Sequence, residues 1–240
     1  MLRKAGGFLV ATVLVAACSD GLGPVDALEQ SVTEDLAMVA ADAAVEDAQQ
    51  MILTLGNPAS RSSTGPRVEI FRVVTFFDVQ GVEQARFDPL TTAQINIITE
   101  LSGEVVRDDW EAMITRSRDL TVSGLEGEET TRIWNGSGAG SVERSRHAGN
   151  DGERSYEMNS VSTVEDVIVG VPRSENPFPL SGTITRSITA TFTNGDATET
   201  RSRTAVLEFN GTQFATLTIG DEVFEVDLTA RDGRRPHRRR

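Results

Sequence analysis

Histidine, cysteine and paired carboxylates are the side chains with which this chain would do chemistry, and each is scarce or scattered. The histidines are His147 and His237. His147 has Glu143, Arg144, Arg146 and Asp151 near it, but the two arginines oppose a bound cation and no second histidine completes a zinc set. As the base of a Ser-His-Asp triad it lacks an accompanying Gly-x-Ser-x-Gly turn. Strand alternation places Asp109 with Glu111, and Glu225 with Asp227, on common faces about 6.6 Å apart, the separation used by inverting glycosidases. With 36 acids in the chain such pairs arise by chance. Trp110 and Trp134 would wall a sugar site, although core packing is the commoner use of an indole. Asn150-Asp151-Gly152-Glu153 and Asn194-Gly195-Asp196 carry oxygen ligands without the spacing of a twelve-residue calcium loop. Tight-turn chemistry accounts for both. The residues therefore point to no metal, no cofactor and no catalytic set.

The elements that would position any site are strands. From Arg67 to Val79 the chain is dense in β-branched and aromatic residues, which predicts a long strand. Thr92–Leu101 and Trp110–Val122 read as strands, as do residues 129–135, 141–147 and 153–169. The separating turns are expected at Asn135-Gly136-Ser137-Gly138 and Asn150-Asp151-Gly152. Thr183–Thr193, Ala197–Phe209, Thr212–Ile219 and Glu222–Leu228 are joined by Asn194-Gly195, Asn210-Gly211 and Gly220-Asp221, an antiparallel meander by turn type. Val171–Gly182, with three prolines, is the one candidate domain boundary. The fold class is all-β: a meander forming a sandwich or a strongly curved, barrel-like sheet. A transmembrane barrel is disfavoured, because Ala197–Phe209 sets Glu199, Arg201 and Arg203 on one face and Thr198, Thr200, Ser202 and Thr204 on the other.

Ahead of the strands, residues 26–56 form an expected acidic helix. Leu28, Val32, Leu36, Val39, Ala43, Met51 and Ile52 make a drifting apolar stripe, and Gly56-Asn57-Pro58 ends it. It carries Asp26, Glu29, Glu34, Asp35, Asp42, Glu46 and Asp47 and no base, so it either packs on the β domain or stands off as a spacer or coiled contact. Residues 18–25 read as a tether, 67–229 as the β domain and 230–240 as a basic, disordered tail. Between residues 18 and 230 there are 15 bases against 35 acids, which repels phosphate backbones and excludes nucleic acid as a partner. The tail is the exception: Arg234, Arg235, Arg238, Arg239 and Arg240 would contact anionic headgroups or other polyanions.

At the N-terminus, Arg3 and Lys4 precede a mostly apolar run from Gly6 to Ala17, too short to cross a bilayer, which fits an export signal. The run closes on Val15-Ala16-Ala17-Cys18, and this resembles the lipobox of bacterial lipoproteins. The resemblance covers residues 1–18. It implies removal of residues 1–17 and lipidation of Cys18 by a diacylglyceryl thioether with an acyl group, palmitate-like, on the new α-amine. It also implies a protein held in the cell envelope, with Ser19 after the cysteine favouring the outer membrane or cell surface over the inner membrane. Two or three acyl chains give stable membrane anchoring. Cys18 is the chain's single cysteine, so the mature domain has no disulfide.

These features predict a lipid-anchored, non-catalytic binding or envelope-structural module with a protein or envelope-polymer partner. The alternative is a carrier of a lipid or other hydrophobic ligand in a curved-sheet cavity, by analogy with half-barrel lipoprotein carriers. A carboxylate-based hydrolase is third.

Overall fold

The computed structural model describes residues 68–106, 110–146, 154–194, 197–229 and 237–238. They form β1 (Val68–Asp78), β2 (Glu83–Gln84), β3 (Thr92–Val106), β4 (Trp110–Ser123), β5 (Thr131–Arg146) and β6 (Arg154–Gly170). The remaining strands are β7 (Pro179–Asn194), β8 (Ala197–Glu208), β9 (Phe214–Ile219), β10 (Glu222–Asp227) and β11 (His237–Arg238). All belong to one antiparallel sheet in the order β11-β10-β9-β8-β7-β6-β5-β4-β3-β1-β2. From β3 onward, neighbours in sequence are neighbours in space. The sheet is not closed, and it is a single sheet rather than a sandwich of two. No helix occurs among the described residues; the expected helix 26–56, the tether and Cys18 lie outside them.

The alternation that makes these segments strands also sorts their side chains. Ile95, Ile97, Leu120, Val122, Trp134, Val167, Ile184, Leu207, Leu217 and Phe224 are buried and belong to one core on the inner face. The outer face is hydroxyl-rich. Thr189 bonds Ser202 at 3.0 Å and Thr191 bonds Thr200 at 3.0 Å, cross-strand pairs of the kind that stabilise a ladder.

The hairpin at Gly220-Asp221 forms where the turn chemistry places it, with Ile219 paired to Glu222 and Gly220 at φ of 58°, whereas Asn210-Gly211 lies within a longer connection, 209–213, between β8 and β9, with Gly211 at φ of 80° and its amide bonded to Pro179 O. The break expected at Asn135-Gly136-Ser137-Gly138 does not form: residues 131–146 are one continuous strand. A bulge lies between Trp134 and Gly136, opposite an irregularity after Glu165 in β6. Asn135 Oδ1 accepts the Asp166 amide at 2.8 Å across that gap. Gly138 faces inward, where a Cβ would lie 2.9 Å from Ser162 Oγ and 3.0 Å from Ser117 O. The glycines serve close strand approach, not a turn. The loop considered as a boundary joins β6 to β7, which pair along their lengths from Arg154↔Asn194 to Val169↔Pro179.

The β4–β5 loop is tied by Glu129, whose Oε1 accepts the Glu126 amide at 2.7 Å. Desolvation opposes ionisation of this carboxyl, but the amides of Glu129, Glu126 and Gly127, with Arg132, outweigh it and hold its pKa below the usual range. A depressed native pKa contributes stability above the unfolded value of about 4.3, and that stability is lost as pH falls through the native value. Glu129→Gln is therefore expected to lower the melting temperature at about pH 7 and to leave it nearly unchanged at strongly acidic pH. Thermal melts of both proteins across that range check this.

Candidate functional site

The outer face carries a groove that runs across six strands. Register sets its two walls. One row is Glu69, Ser102, Thr115, Ser141, Asn159 and Thr189; the other is Phe71, Glu100, Ser117, Ala139, Val161 and Ser187. Within each row the residues are cross-strand partners, so the rows lie two residues apart along the strands, about 6.7 Å. Five inter-strand steps make the groove about 24 Å long. Its volume is about 970 Å³.

Seven of its twelve wall residues carry a hydroxyl or an amide, while most of the exposed lining is carbon. Thr115 and Ser141 hydroxyls bond each other at 2.5 Å. Phe71, 61% exposed, and Val161, also 61% exposed, contribute to that apolar surface together with Ala139. Glu69 and Glu100 are its charged residues at the β1 end, apart from Arg116, whose Cα lies in the floor between the two rows. A second hollow of about 420 Å³ adjoins it on the same face, with Glu104, Glu111, Glu143 and Glu157 in its lining. Ser145 Oγ donates to Glu111 Oε1 at 3.0 Å there. Among the described strand residues the outer face carries no arginine.

The inner face has the opposite sign. Arg72, Thr99 and Arg118 are successive cross-strand partners, as are Arg116, Gly140 and Ser160; Arg144, Arg186, Arg201 and Arg203 point the same way. Arg118 and Arg186 are each 8% exposed. Arg201 pairs with Glu199 at 2.7 Å. Burial lowers the pKa of Arg72. Ile114, Val142, Met158 and the Tyr156–Phe192 pair, with ring centroids 5.2 Å apart and nearly perpendicular, share this face with the arginines. A hollow on this face, between Arg116, Val142, Met158, Arg186 and Ile188, measures about 20 Å³.

The residues singled out by chemistry do not converge. Glu225 and Asp227 share the outer face of β10, as alternation predicts, and Asp227 Oδ1 accepts the Thr229 amide at 2.8 Å, shaping a turn. Glu111 lies on β4; its suggested partner Asp109, like His147, Asn150-Asp151-Gly152-Glu153 and Gly195-Asp196, lies outside the described residues. Trp134 is 1% exposed, so it packs the core and offers no wall to a sugar. No group of three metal-ligating side chains occurs among the described residues. Of the basic tail, only His237–Arg238 is described, and these two residues pair with Phe224 and Glu225 as β11; Arg234, Arg235, Arg239 and Arg240 fall outside. No helix among the described residues is long and apolar enough to cross a membrane, which says nothing of strands.

The groove was not visible in the sequence, because its walls come from the register of six strands rather than from any local motif. No protein-family model, curated protein or solved structure matches this chain.

Proposed function

We propose that the mature chain is a lipid-anchored module of the cell envelope that holds an extended, uncharged, polyhydroxylated polymer across its outer face. The observation that carries this reading is the transverse groove of about 970 Å³, walled by hydroxyl and amide groups with Phe71 and Val161 among them. Hydroxyl and amide groups exchange hydrogen bonds with sugar hydroxyls in both senses, and an exposed ring takes the apolar face of a pyranose. The carboxylates at Glu69, Glu100, Glu104, Glu111, Glu143 and Glu157 repel anionic polymers and select against them. Anchoring would come from lipids on Cys18, and the tail arginines would add about 1 kcal/mol each near an anionic headgroup surface. The hollow between Arg116, Val142 and Arg186 on the inner face, about 20 Å³, is itself too small for an acyl chain.

Affinity electrophoresis through gels containing neutral or anionic polysaccharides tests the proposal. Retardation by neutral polymers only is expected. Ala139 is exposed midway along the groove, and Ala139→Leu, which fills the groove without touching the core, is expected to weaken retention tenfold or more. Equal retention by anionic polymers, or an unaffected variant, would overturn it.

A further inference from the structure

The two edges of the sheet end differently. At one, β11 pairs with Phe224 and Glu225 of β10. At the other, β2 covers only Phe76 and Phe77 of β1, and no described strand pairs with the free side of Val68–Thr75. The Asp78 amide bonds Val82 O at 3.0 Å, on the β2 side. Backbone groups alternate in direction along a strand, so Phe76, Val74, Arg72, Ile70 and Val68 turn their N–H and C=O groups to that same side. Residues 68–75 include no Pro or Lys, the residues that commonly blunt an edge. Within five positions, Ile70, Phe71, Val73 and Val74 are 37–62% exposed.

We propose that β1 pairs antiparallel with β1 of a second copy, about a two-fold axis at Phe71. The alternation requires even-numbered residues to face even-numbered ones, which leaves few registers. An axis at Arg72 opposes two arginines directly, which destabilises a ladder. An axis at Val73 sets Ile70 against Phe76, whose free side β2 already occupies. An axis at Phe71 sets Phe71 against its copy, Glu69 against Val73, Ile70 against Arg72 and Val68 against Val74. It uses residues 68–74 end to end, opposes no like charges and stops short of β2. Two bonds in each hydrogen-bonded pair give about eight N–H···O bonds across the axis. The Phe71 residues meet as a non-hydrogen-bonded pair, the closer kind, where aromatic pairs stabilise a sheet. The four exposed apolar side chains carry on the order of 350 Å² per copy. With the backbone and the flanking Glu69 and Arg72, the two copies together bury about 1,000 Å², the size of a small specific interface. The outer-face grooves then lie end to end, stepped to either side of the Phe71 row, and the pairing does not depend on what they hold.

The test uses the full mature chain with Cys18→Ser, so that an introduced cysteine is the only one. Light scattering is expected to give twice the chain mass. Under copper–phenanthroline oxidation, Phe71→Cys is expected to form a disulfide-linked dimer, because the two Cα atoms at the axis lie about 4.5 Å apart. Val73→Cys is expected to give at least tenfold less, because its Cα atoms lie about 14 Å apart in this register, beyond the reach of a disulfide. Val74→Pro removes one donor on the free side while sparing the β3 ladder, and is expected to lower the Phe71→Cys yield at least tenfold. A monomeric mass, no cross-link at Phe71→Cys, equal cross-linking at Val73→Cys, or a dimer untouched by Val74→Pro would overturn the proposal.

Discussion

Trp134→Ala is expected to lower the stability of the β domain by about 3–5 kcal/mol, the range for removing a large aromatic side chain from a packed interior. Trp134 is 1% exposed and stands between Val122 of β4 and Val167 of β6, both fully buried. At this domain size the loss corresponds to a fall in melting temperature of about 10 °C. The indole Nε1 is buried without a hydrogen-bond partner among the described residues. Trp134→Phe removes that orphaned donor while keeping most of the volume, so it is expected to be far milder than the alanine variant. Chemical denaturation of the three proteins decides the matter. Equal losses in both variants would mean that the indole N–H, not the ring volume, carries the contribution.

Gly136→Ala is expected to be nearly as damaging, although it adds a single methyl group. Gly136 has φ of 151°, which side-chain-bearing residues rarely adopt, at about 1–3 kcal/mol of strain. A Cβ there would also press into Asp119 O and come within 2.9 Å of Leu120 Cα, both backbone atoms that cannot swing aside. Overpacking adds about 1–3 kcal/mol, for a total on the order of 3 kcal/mol. Ala139→Gly, three residues on and exposed, is the matched control and is expected to change stability by less than about 1 kcal/mol. Comparable losses at both positions would show that the bulge is not a constrained site.

Both sites show where local sequence reasoning succeeds and where it stops. The C-terminal meander was legible because Gly-Asp and Asn-Gly pairs mark reversals between alternating strands, although only Gly220-Asp221 is a two-residue turn and Asn210-Gly211 sits in the longer connection 209–213. β5 was not, because Asn135-Gly136-Ser137-Gly138 has the composition of a turn and performs another task. Gly136 accommodates a bulge and Gly138 lets β4 and β6 crowd in, and nothing within four residues distinguishes these uses. Charge segregation was half visible. Glu199, Arg201 and Arg203 alternate with Thr198, Thr200, Ser202 and Thr204 within β8, but that pattern extends to Arg116, Arg118, Arg144 and Arg186 only once register aligns the strands. The groove depends wholly on that register: Thr115, Ser141 and Asn159 become a wall through pairings between residues 18–26 positions apart.

If the outer groove, and not the inner face, holds the proposed polymer, its occupancy must show in the backbone amides of the strands that wall it. Hydrogen–deuterium exchange of the mature chain, with and without oligosaccharides released from the envelope, tests it most directly. Slowed exchange is expected in the middle of β3 to β6 alone, around Glu100–Ser102, Thr115–Ser117, Ala139–Ser141 and Asn159–Val161, and is expected to be abolished by Ala139→Leu. Protection centred on β9 and β10, or a lipid co-purifying in stoichiometric amount, would contradict it and return the carrier reading to first place.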